Sequence, residues 1–162
     1  MAAKPLIGTV VYLTATGHVL AAVTSGALEP TVEDLTGAHL RVRVPNEPAY
    51  VSVPSALLAA KSVEVTKDVL DRPQAYVFNE ANTPALSLGL DPQYDVALPV
   101  GGGGAVAANK KLVMVWQTPN EAIPEDGTLD AAGNLPGSTA PAGTTAQLVA
   151  WQGGALFVNP YP

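Results

Sequence analysis

The 162-residue chain is 48% apolar but only 14% charged, with eight Lys and Arg against fourteen Asp and Glu and a net charge of −6. A soluble domain is typically about 25% charged, so the shortfall falls on the surface, where charges normally sit. Cations cluster no further than Lys110–Lys111 and the Arg41/Arg43 pair, which argues against nucleic acid or an anionic membrane as a partner, and the absence of cysteine excludes disulfides, thiolate metal sites and a cysteine nucleophile.

The first predicted element is a hairpin over Thr9–Thr24, two β-branched runs flanking Thr16-Gly17, where Gly17 supplies the positive φ of a short loop. Strict alternation places Val11, Leu13, Leu20 and Ala22 on one face and Val10, Tyr12, Val19 and Val23 on the other. Both faces are apolar, so something covers each, either another sheet or another subunit. Ala27–Gly37 reads as a connection with one helical turn, Thr31 its N-cap and Asp34 at the capping-box position. Leu40–Val44 and Ala49–Val53 alternate cleanly around Pro45–Pro48, with Leu40, Val42, Val44, Val51 and Val53 inward and Arg41, Arg43, Tyr50 and Ser52 outward.

Ala56–Ala60 reads as a turn or two of helix, too short to stand alone. Ser62–Lys67, Ala75–Asn79, Leu86–Leu90 and Val96–Val100 are further strand candidates. Lys111–Gln117 is apolar on both faces. Thr118–Ala146 has no periodic apolar run and reads as a long arm, since structureless stretches of that length are uncommon inside a compact domain. Gln147–Gln152 and Ala155–Asn159 close the chain as a hairpin around Gly153-Gly154. Leu112–Gln117 and Leu148–Gln152 look alike, as a duplicated unit or as neighbouring strands of one sheet.

The expected fold is all-β: an antiparallel β-sandwich or barrel-like domain with long loops and at most one or two short helical turns. Fifteen glycines and fifteen prolines favour such short elements. Gly101–Gly104 suggests a boundary. The division is then a main β domain over 1–100, a glycine-rich hinge over 101–110, and a C-terminal hairpin region over 111–162 with its arm 118–146, or else one continuous domain.

Motifs that carry chemistry are scarce in this chain. The run GGGGAVAANKK has neither the Gly-Lys-Ser/Thr end of a phosphate loop nor the third glycine of a dinucleotide fingerprint, and a strand follows it. His18 and His39 lack metal-ligand spacing, and no nucleophile elbow is present. Glu125, Asp126 and Asp130, with Asn134, only faintly resemble a calcium loop. Glu64, Asp68 and Asp71 can pair with Lys67 and Arg72 at the surface. Arg41 and Arg43 beside Tyr50 offer a small anion or sugar contact, against the plainer reading of a solvated strand face. Trp116 and Trp151 can stack on a carbohydrate, but their apolar strands favour packing. No catalytic residue, metal site or cofactor is expected, and the chain does not read as an enzyme.

Leu148-Val149-Ala150-Trp151 followed by Gln152-Gly153 is similar to the strand-and-turn texture of head-decoration proteins. The abundance of Ala, Gly, Thr and Val, the acidic balance and the absence of cysteine resemble small structural proteins of tailed phages and phage-like particles. The resemblance implies a structural subunit of a large symmetric assembly (capsid decoration, tail, fibre or baseplate), whose partners are copies of itself and other structural subunits. The alternative is a β-sandwich binding module for a peptide or glycan. The interface candidates are Val10, Tyr12, Val19, Val23, Trp116, Trp151, Phe157 and Tyr161. Met1–Gly8 lacks the apolar region of a secretory signal, and no run approaches the roughly 18 apolar residues of a membrane helix. The expectation is a protein made in the cytoplasm and incorporated into a particle.

Overall fold

Residues that alternate apolar with polar form strands because a pleated backbone sends successive side chains to opposite faces. The computed structural model describes residues 6–24, 37, 39–44, 49–79, 86–89, 93–94, 110–128, 140–152 and 156–160; the rule holds cleanly in the second hairpin, whereas Lys111–Gln117 and Ala146–Trp151 are buried on both faces. The fold is all-β, built from open sheets; among the described residues none closes into a barrel. The predicted turn at Thr31–Asp34, the loop Pro45–Pro48, the strand Val96–Val100, the glycine hinge, Asp130, Asn134, Gly153-Gly154 and Tyr161 lie outside the described residues.

Strands β1 (Leu6–Leu13) and β2 (Val19–Thr24) form the expected hairpin. Gly17 adopts φ 83°, its N–H donates to the Leu13 carbonyl at 2.8 Å, and its own carbonyl accepts from Phe78 N–H at 2.8 Å. The register breaks between Val11 and Tyr12, where Leu20 is the extra residue of a bulge. Strict alternation therefore fails beyond it. Ala21, not Ala22, shares the face of Val11, and Ala22 joins Val10 and Val19. Val23 is correspondingly opposite Thr9, on the Val11 face, not with Val10.

β3 (His39–Arg43) and β4 (Tyr50–Pro54) form the second expected hairpin, with Val42 opposite Val51. The short Ala/Leu stretch is only a 3-10 turn, Ser55–Leu57, because Leu58 already begins β5 (Leu58–Val65), which pairs along the whole of β1. β5 ends two residues before the predicted limit. Thr66 caps a five-residue helix α1 (Lys67–Asp71), its hydroxyl accepting from Val69 N–H at 3.2 Å. A 3-10 turn over Pro73–Ala75 leads to β6 (Tyr76–Phe78), paired with β7 (Leu86–Leu88). A two-residue strand β8 (Gln93–Tyr94), unforeseen in the sequence, runs parallel to the C-terminal strand.

β9 (Lys111–Gln117) is followed at once by β10 (Ala122–Thr128), so the predicted arm begins as a hairpin. Pro124 sits on β10, an edge strand, where a missing N–H costs no ladder bond if it faces outward. β11 (Ala146–Trp151) pairs with both β9 and β12 (Leu156–Pro160), giving the order β10-β9-β11-β12-β8. The look-alike segments are thus adjacent antiparallel strands of one sheet.

The largest apolar cluster joins Val11, Leu13 and Leu20 of the first hairpin with Val42, Val51 and Val53 of the second and with Val113, Val115, Leu148, Leu156 and Val158 of the five-stranded sheet. It draws on residues from both sides of the glycine run.

Candidate functional site

The structure buries most predicted interface residues within the chain itself. Val10 and Val19 pack with Val65, Val69 and Phe78, so α1 and β6 supply the second cover that could have come from a neighbour. Tyr12 stacks on Phe78 with ring centroids 4.4 Å apart. Trp116 and Trp151 are buried with Leu112, Met114 and Val149, and Phe157 stacks on Trp151 at 5.1 Å. Trp116 Nε1 donates to Glu125 Oε2 at 2.8 Å across the β9–β10 pair. Burial of the ring, 7% exposed, removes the indole from any stacking platform, and the bond gives one member of the calcium-like group a structural partner. Val23 alone of the described candidates stands exposed among the large apolar residues.

His18 is buried, its Nδ1 hydrogen-bonded to Thr16 Oγ1 at 2.8 Å inside the hairpin loop. The surface pairs form as Lys67–Asp71 at 2.7 Å and Arg72–Asp68 at 2.8 Å. Tyr76 Oη also donates to Asp68. The Arg72 guanidinium, then the Tyr76 hydroxyl, hold the Asp68 carboxyl below its ordinary pKa, while the Asp68 carboxylate pushes the Tyr76 phenol up. Among the described residues no three His, Asp or Glu side chains gather to hold a metal, and no helix is long and apolar enough to cross a membrane.

Among the described residues two surfaces stand out. The first is the end of the three-stranded sheet away from the β1–β2 loop. Along β1 the row Leu13, Val11, Thr9 is buried, but its continuation, Ile7, is 44% exposed, and Val23 beside it on β2 is 42% exposed. Leu6, on the opposite face, is equally exposed. β2 is an outer strand of its sheet and carries no charge.

The second is a shallow groove of about 390 Å³ lined by His39, Arg41, Tyr50, Ser52, Gln117, Asn120 and Glu121, together with Pro119 and Ala122. The buried Gln117 side chain builds it. Its Oε1 accepts from Ser52 N–H at 2.8 Å, and its Nε2 donates to the carbonyls of Thr118 at 2.7 Å and Glu121 at 3.3 Å. One amide thereby ties β4 to the β9–β10 turn. Thr118 Oγ1 accepts from Glu121 N–H at 3.1 Å and fixes the turn's shape. The Arg41 guanidinium lies 4.6 Å from the Tyr50 ring centroid, a cation–π contact. Sequence reasoning found Arg41 and Tyr50 through their outward alternation. It missed Gln117, Asn120 and Glu121, because the turn holding them joins a strand that resembled a loop.

No protein-family model matches the chain, and no significant match appears among curated proteins or solved structures.

Proposed function

We propose that the chain is a structural subunit of a large symmetric assembly, a decoration, tail, fibre or baseplate component of a phage or phage-like particle. It works through contacts with copies of itself and other structural subunits, and performs no catalysis. The observation that supports this best is the uncharged edge strand β2 ending beside exposed Ile7, Leu6 and Val23. Natural sheets usually protect such an edge with Lys, Pro or a covering segment. The Pro73–Ala75 turn and α1 lie against part of β2, with Gln74 Nε2 donating to the Leu20 carbonyl at 3.4 Å, but no described element reaches over Ile7 and Val23, which leaves apolar surface of the kind that partners bury. A chain only 14% charged has few charges to strip of water when such a surface is buried.

Sedimentation velocity tests the reading. The expected parent species is a defined oligomer, and the double substitution Ile7→Lys with Val23→Lys is expected to yield a folded monomer with an unchanged circular dichroism spectrum. A parent chain that stays monomeric up to millimolar concentration sinks the proposal.

A further inference from the structure

The groove between the β3–β4 hairpin and the β9–β10 turn carries polar groups that the fold does not use. Gln117 is fully committed to holding the two walls together. By contrast, among the described residues the Arg41 guanidinium has no ion pair, and the side chains of His39, Ser52, Asn120 and Glu121 have no hydrogen-bond partner. Arg41 and Ser52 are direct cross-strand partners, and Tyr50 lies diagonally beside Arg41. Arg41 is thereby held by stacking against Tyr50 while its fork of N–H donors stays available.

We propose that this groove binds an acidic saccharide, a sugar bearing a carboxylate. The charge pattern selects that class. Arg41 offers the bidentate geometry that a carboxylate fits, while Glu121 on the facing wall is an acceptor for hydroxyl donors and repels a second negative charge. A ligand matching both walls needs one anionic group and several hydroxyls. An acidic peptide supplies repeated negative charge, and a simple anion supplies no hydroxyl for Glu121 or Asn120. Ser52 and Asn120 can each both give and accept hydrogen bonds with ring hydroxyls, and the volume suits one or two sugar units. None of these residues belongs to the exposed end of β1 and β2, so the site stands or falls independently of assembly.

Titration of the full chain with glucuronate, followed by amide chemical shifts, tests the site. The expected result is millimolar binding with shifts confined to His39–Arg43, Tyr50–Ser52 and Gln117–Ala122. Glucose, which lacks the carboxylate, and acetate, which lacks the hydroxyls, are each expected to bind about tenfold more weakly. Arg41→Ala is expected to weaken glucuronate at least about tenfold, and Glu121→Gln severalfold, both at exposed positions that leave the core intact. Arg43→Ala, on the same strand face but off the groove, is expected to change nothing. Acetate binding as tightly as glucuronate would reduce the site to a plain anion contact and overturn the proposal. So would binding of a Glu-rich peptide without glucuronate, an Arg41→Ala variant that titrates like the parent, or no saturable shift at all.

Discussion

At the loop end of the β1–β2 hairpin Leu13 and Val19 are wholly buried, whereas at its other end Ile7 and Val23 stand open. The two ends have the same kind of side chain on the same strands. What differs is the cover. Near the loop, β6 is locked on by the Phe78–Gly17 hydrogen bond and the Tyr12–Phe78 stack, and α1 adds Val69. Across the other face lie the β3–β4 hairpin and the five-stranded sheet. No described element reaches over Ile7 and Val23. Apolar alternation thus marks a face that wants cover, and the covered fraction of a strand is decided by elements far away in sequence.

The largest expected effect tests that contrast directly. Leu13→Ala should cost about 2–5 kcal/mol in urea unfolding, because it leaves a cavity among residues that cannot collapse into it. Ile7→Ala should cost less than about 1 kcal/mol, since much of that side chain is already in water. Equal losses at the two positions would erase the distinction between the ends. Next comes the lock on the covered end. Gly17→Ala forces a side chain into a positive-φ backbone, and its Cβ would lie 2.5 Å from the Phe78 carbonyl oxygen. A loss of roughly 3 kcal/mol is expected, with amide exchange accelerating first in β6 and around His18.

The smallest effect lies on α1, part of the cover. The folded pKa of Asp68 is lowered, so the unfolded state binds more protons in acid. Its contribution is therefore present above the ordinary carboxylate pKa of 3.8 and lost as pH falls through the folded value. Tyr76 is raised, so its contribution holds below 10.0 and is lost as pH rises through the folded value. Asp68→Asn should flatten both limbs of the urea midpoint against pH. The groups are only partly buried, so solvent keeps the change small. A profile unchanged by the substitution would detach the helix from the energetics of the cover.

By itself the sequence determined the all-β class, the alternating faces of Leu40–Val44 and Ala49–Val53, the positive φ at Gly17, the two-faced strand Lys111–Gln117 and the closing hairpin. These follow from the two-residue period of side chains along a strand and from the few residues that tolerate special turns, both local properties. Tertiary structure alone decided the rest. β10 is a strand because β9 offers it a ladder and Trp116 offers Glu125 a donor, although Pro124 and Gly127 read locally as a loop. The Leu20 bulge inverted the faces of Ala22 and Val23, since one extra residue shifts a period of two by half. The groove exists because Gln117 joins Ser52 across 65 positions of sequence. Pairing partners and covering layers are non-local, and periodicity reports which side chains share a face without reporting what rests upon it.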